Sequence, residues 1–255
     1  MAGFLERTTS GIIRKALRVV LYGEAGVGKT SFASQAPSPY FIGAEDGSSN
    51  LNVNRFAPTC WGDILGVLDE LATREHPFQT VVLDSANWAQ KFCYEHICKA
   101  NNVESIEGIG YGKGYVLALV EFEKLLGKLD ALNLRGINII IIAHEQITRF
   151  DDPAGESYSV YSLATDKKIT PLLVQWPDAV LFANYDKTVK SVGQGLNSRK
   201  VAKSYGERIM FTENRASHLA KNRFSLPERM PLNWGALVQG VEAYFQNVIN
   251  QQNQI

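Results

Sequence analysis

The stretch "ALRVVLYGEAGVGKTSFASQA", residues 16–36, narrows the fold of this chain more than any other part of it. Ala16 to Tyr22 is a short apolar, β-branched run that reads as a buried strand, and "KTSFASQA" can begin a helix directly. Between them, Gly23, Gly28, Lys29 and Thr30 fill the spacing G-x-x-x-x-G-K-[ST]. Random composition gives on the order of one such match in a hundred chains of this length. Strand, glycine turn and helix in that order aim backbone N–H groups at one point beside a helix N-terminus, where an anion is favoured. The predicted phosphate cradle is Gly23, Glu24, Ala25, Gly26, Val27, Gly28, Lys29, Thr30 and Ser31. Lys29 is expected to reach the β- and γ-phosphates of ATP, and the Thr30 hydroxyl to ligate Mg²⁺.

From there strand and helix patterns alternate, which predicts an α/β fold with a mostly parallel central sheet flanked by helices. "PYFIGAEDG" (residues 39–47) reads as a strand ending on Glu45 and Asp46, and "WGDILGVLDELATRE" (61–75) as an amphipathic helix. "FQTVVLDSANW" (78–88) is an apolar strand ending in Asp84, where a carboxylate beside the cradle can serve Mg²⁺. A helix over 88–100 is followed by residues 101–115, whose four glycines predict a mobile, exposed loop. A helix over 116–132 and a very apolar strand over 136–150 come next. That strand emerges into His144, Glu145, Gln146 and Arg149, at the edge where open α/β sheets place ligands. Asp151 to about Thr170 reads as a polar loop, "PLLVQW" as a short helix, and residues 178–185 as another strand.

The last third changes character, with short β-like pieces between Gly, Asn and Ser turns, as in a C-terminal hairpin or meander. Lys187, Lys190, Arg199, Lys200, Lys203 and Arg208 stand there against only Asp186 and Glu207. A closing helix is expected over 233–249, capped by Asn233. The domain reading is an N-terminal arm (1–15), a core (16–231) that includes the basic hairpin (185–208), and a C-terminal helix with polar tail (232–255).

Composition removes several classes. Lys and Arg number 26, as do Asp and Glu, so no global field favours nucleic acid or an anionic membrane, and any polyanion site must be local. Three cysteines at irregular spacing make no disulfide framework, the pattern of a reduced cytosolic protein. Cys93, His96 and Cys98 share one predicted helix but not one face, so no metal site is expected there. No apolar run approaches a membrane span, and the first residues lack the apolar stretch of a secretory signal.

The order "YFIGAEDG", "VVLDSANW", glycine-rich loop, long helix, "IIIIAHEQITR" resembles the RecA core, and "AKNRFSLP" resembles the ending of phage-encoded RecA-like ATP-binding proteins, some of which are single-strand annealing recombinases. The resemblance covers roughly residues 16–231. It implies a RecA-like P-loop NTPase core acting as an ATPase, with Glu45 as general base, Asp84 serving Mg²⁺ and Gln146 sensing the γ-phosphate. It also implies Lys221 and Arg223 as cations that reach a neighbouring subunit's nucleotide, hence a homo-oligomer, as ring or filament. The loops over 101–114 and 149–170 would face single-stranded DNA. The DNA-contacting set is Lys113, Arg149, Lys167 and Lys168, joined by Lys187, Lys190, Arg199, Lys200 and Lys203 of the hairpin. Tyr111, Tyr115, Phe150, Tyr158 and Tyr161 offer stacking faces. The implied setting is the cytoplasm of a bacterial host, with a single-strand DNA-binding protein as a further partner and no membrane. The residues leave three alternatives open: an ATPase motor or loader for helicase or packaging machinery, a nucleotide or small-molecule kinase, and a nucleotide switch without useful turnover.

Overall fold

A computed structural model describes residues 6, 8–43, 46–153, 155–192 and 199–252. Strand β1 (Arg18–Gly23) leads through the glycine turn to helix α1 (Lys29–Ser34), then β2 (Pro39–Gly43), β3 (Asn54–Phe56), α2 (Trp61–Thr73) and β4 (Thr80–Asp84). There follow α3 (Ala86–Ala100), α4 (Lys113–Leu134), β5 (Asn138–Phe150), β6 (Tyr158–Leu163) and α5 (Ile169–Gln175). The chain ends with β7 (Ala179–Val192), β8 (Arg199–Phe211), β9 (Lys221–Asn222), β10 (Arg229–Pro231) and α6 (Trp234–Gln252). The strands form one sheet in the order β10-β8-β7-β1-β5-β4-β2-β3, with β6 paired to β5 and β9 to β7. From β7 across to β3 every neighbouring pair is parallel, whereas β8 is antiparallel to both β7 and β10.

Alternation along the strands feeds two helical layers. Val20 and Tyr22 of β1, with Ile139 and Ile141 of β5, pack on one face against Trp61 and Leu68 of α2 and Phe122 and Leu125 of α4. Val19, Leu21, Ile140 and Ile142 point the other way, toward Phe32 and Ala33 of α1 and Trp234 and Leu237 of α6. Right-handed crossovers explain the division: β1 to β2 moves one way across the sheet and the later connections return, so the same hand places their helices on opposite faces. Each of these large side chains contributes roughly 1.5–3 kcal/mol by leaving water. The Asn233 cap forms as expected, its Oδ1 accepting from the Ala236 N–H at 3.1 Å.

Both neighbours of β1 outrun it. β5 pairs with β1 only as far as His144, and its remainder, Glu145–Phe150, pairs antiparallel with β6. β7 pairs with β1 as far as Ala183, then continues to Val192 against β8, with a bulge between Tyr185 and Lys187. At about 3.3 Å per residue the two ribbons extend ~20 Å and ~30 Å beyond the carboxyl edge, one on each side of β1.

Three sequence expectations change here. The polar loop over 151–170 contains β6, because Val160 and Leu163 are buried and the overrunning β5 supplies an edge to pair with. The glycine-rich segment over 101–114 holds a 3-10 turn, Ile106–Ile109, and Ile106 is only 6% exposed. Gly114 serves packing rather than looseness, since a Cβ there would stand 2.4 Å from the Ile106 carbonyl oxygen. The three-residue edge strand β3 had no periodicity to announce it. Among the described residues no helix is long and apolar enough to cross a membrane.

Candidate functional site

The glycine turn leaves β1 at the carboxyl edge, between β5 and β7. A Cβ on Gly23 would lie 2.1 Å from the Ala183 carbonyl oxygen, so only hydrogen fits against β7. Gly26 and Gly28 have φ of +79° and +106°, the left-handed region that side chains resist. Val27 between them is fully buried in the α1 layer and pins the turn from below. Lys29 is 7% exposed, and its Nζ donates to the carbonyls of Gly23 at 2.7 Å and Glu24 at 2.9 Å. The ammonium thus lies folded along the turn.

Asp84 closes β4 with 7% exposure, and its Oδ2 accepts a hydrogen bond from Thr30 Oγ1 at 3.0 Å. The two residues expected at Mg²⁺ therefore meet, although 54 positions separate them. A Cβ on Gly43, at the end of β2, would stand 2.5 Å from the Asp84 carbonyl oxygen, and one on Gly47 would be 3.5 Å from Thr30 Oγ1. Glu45, the expected general base, lies outside the described residues. Among the described residues no group of three or more His, Cys, Asp or Glu side chains could hold a metal. A hydroxyl and one carboxylate suit an ion that takes its other ligands from phosphate oxygens and water, the usual habit of Mg²⁺.

The end of β5 ties this edge to a loop. The His144 N–H donates to Asn87 Oδ1 at 2.9 Å, and Asn87 Nδ2 donates to the Ala164 carbonyl at 2.6 Å. Gln146 Nε2 donates to the carbonyls of Leu163 at 2.7 Å and Thr165 at 3.3 Å. Gln90 Oε1 accepts from the Asp166 N–H at 2.7 Å. Residues 163–166, which precede Lys167 and Lys168, are thereby held by Asn87 and Gln90 of α3 and Gln146 of β5.

The other expected site residues are spread out. Lys113 opens α4, and Arg149 projects from the β5–β6 ribbon, 76% exposed beside Asp151. Lys187, Lys190, Arg199, Lys200 and Lys203 belong by backbone to the β7–β8 ribbon, and their side chains fall outside the described part. Lys221 and Arg223 sit at the amino edge, opposite the glycine turn: β9 pairs with Ala179 and Val180 at the start of β7. Lys221 Nζ donates to the carbonyls of Val174 at 3.1 Å, Gln175 at 2.6 Å and Pro177 at 2.9 Å, which uses all three N–H groups. Burial, then the nearby Arg223 and Arg18, hold its pKa below the ordinary lysine value against the pull of Asp178. Arg223 pairs with Asp178 at 3.3 Å. Neither reaches the glycine turn of its own chain.

Tyr185 and Asn87 escaped the sequence reading, and Arg208 entered it only as part of a basic run. The Tyr185 hydroxyl donates to the Gly26 carbonyl at 3.2 Å, and Arg208 packs on Gly28. They are cross-strand partners in β7 and β8, so the signal that would have found them was strand pairing rather than any local motif. Residues 15–224 match the model of the AAA domain family. No curated protein matches the chain.

Proposed function

Because this chain belongs to the AAA domain family of P-loop, nucleotide-binding ATPases, we propose that it hydrolyses ATP with Mg²⁺ under the control of single-stranded DNA and promotes DNA annealing and homologous recombination. The observation that carries this reading is the tie between the nucleotide edge and a basic loop. Gln146 and Asn87 grip residues 163–165, immediately before Lys167 and Lys168. A phosphate felt at the end of β5 is thus one hydrogen bond away from a segment suited to a nucleic-acid backbone.

In this reading Lys29 exchanges the carbonyls of Gly23 and Glu24 for the β- and γ-phosphates. Thr30 and Asp84 would hold Mg²⁺, which when bound offsets negative charge on those phosphates. Glu45 orients the attacking water. The amino-edge position of Lys221 and Arg223 means that only a second copy can bring either to a glycine turn, which supports a ring or filament. Arg223, about half exposed and held by one ion pair, is the easier of the two to redirect. Lys113, Arg149, Lys167, Lys168 and the ribbon residues Lys187, Lys190, Arg199, Lys200 and Lys203 bind DNA phosphates, with a single-strand DNA-binding protein as a further partner. The RecA-like resemblance supports a phage origin and action in a bacterial cytoplasm.

The test is ATP hydrolysis with and without single-stranded DNA, at two salt concentrations, beside Lys29→Ala. Stimulation that vanishes in the variant is the expected result. Turnover indifferent to DNA but raised by a protein partner would replace this reading with a motor or loader.

A further inference from the structure

Arg208 stands apart from the other arginines whose side chains the structure describes. Those bind an acid or a carbonyl: Arg18 holds Asp130 and Asp178, Arg215 holds Glu213 and Glu228, Arg229 holds Asp186, and Arg135 caps the Leu71 carbonyl. Among the described residues the guanidinium of Arg208 has no hydrogen-bond or ion-pair partner, so its five N–H donors are unspent. The exposed side chain lies over the glycine turn. A Cβ built on Gly28 would stand 3.1 Å from Arg208 Nη1, 3.5 Å from Cδ and 3.7 Å from Cζ, so the side chain occupies the space that glycine leaves open. Tyr185, directly across the ladder, ties the same ribbon to the turn through Gly26.

A solvated charged fork lying over the glycine turn, with no anion of its own, is placed to meet one bound there. We propose that Arg208 is a phosphate-binding residue of the nucleotide site, supplied in cis from the foot of the β7–β8 ribbon. The inference rests on residues 23–31 being the nucleotide cradle. It adds a second wall to that cradle, and it makes the foot of the ribbon part of the nucleotide site.

The experiment is equilibrium dialysis of ATP against the full chain and its Arg208→Gln, Arg208→Lys and Lys29→Ala variants, with thermal unfolding of each nucleotide-free protein alongside. Arg208→Gln should weaken ATP binding about ten- to hundredfold, the range for losing hydrogen bonds to a charged group. Arg208→Lys should fall between, because it keeps the charge and loses the fork. A second measurement needs no variant: phenylglyoxal modification of the wild-type chain, read by peptide mass spectrometry, should show ATP protecting Arg208. Unchanged affinity in a folded Arg208→Gln, or no protection by ATP in a wild type that binds it, would overturn the inference alone. A wild type that binds ATP no better than Lys29→Ala would overturn the cradle as well.

Discussion

His218 shows how much one side chain can set the pH response of this molecule. It is 4% exposed and lies against Phe182 and Phe211, with ring centroids 5.2 and 4.6 Å away. Nδ1 meets Ser217 Oγ at 2.9 Å, while Nε2 has no partner. Burial holds the imidazole below its ordinary pKa, which the Glu213 backbone and then Glu228 only partly offset. Below about pH 6.5 the unfolded chain therefore binds a proton that the folded one refuses, and stability declines as pH falls toward the folded pKa. One proton sets the upper limit of the loss at ~1.4 kcal/mol per pH unit. Urea unfolding midpoints at pH 7.5 and 5.5 check it: the drop should be smaller in His218→Phe than in the wild type. At this same scale, sequence and structure agree best where chemistry is local. Gly23 to Ser31 are contiguous from the end of β1 to the first turn of α1, and Asp84 is marked by the apolar run that precedes it. Arg208, Tyr185 and Asn87 were hidden because each acts through an element distant in the chain.

Among the elements, the β7–β8 ribbon is the most separable. Beyond the bulge after Tyr185 it pairs only with itself, from Lys187 with Ser204 to Val192 with Arg199. Joining Lys187 to Ser204 through an Asn-Gly turn should leave the unfolding free energy within about 0.5 kcal/mol of wild type, since the backbone pairing removed is only the ribbon's own. Affinity for single-stranded DNA should fall about tenfold and its salt dependence should flatten, which fluorescence anisotropy at several salt concentrations would measure. The ribbon was readable as a hairpin because Gly and Asn turns punctuate it. β6 was not, because "YSVYSL" is too short and too polar to outweigh its loop-like flanks until β5 is seen to overrun the sheet. The glycines of 101–114 misled for a related reason: Gly110 and Gly112 meet positive φ, whereas Gly114 meets a packing demand that only the neighbouring Ile106 reveals.

Taken whole, the molecule closes on itself through α6. Trp234 lies edge-on to Phe32 of α1 at 5.8 Å, and its backbone N–H donates to Gln35 Oε1 at 3.1 Å, so the last helix supports the helix that follows the glycine turn. Trp234→Ala should cost about 3–5 kcal/mol in chemical denaturation and also weaken ATP binding, because α1 loses its backing. The alternation of strands and helices made the parallel sheet and its two layers legible from sequence, but not which strands would overrun it. That overrun has a mechanical side. The β7–β8 ribbon reaches ~30 Å from a foot about one cross-strand spacing wide, ~5 Å, so it is a lever with an advantage of roughly six. A half-ångström adjustment of Tyr185 and Arg208 against the glycine turn would swing the far end by about 3 Å, close to the rise of one residue along a strand.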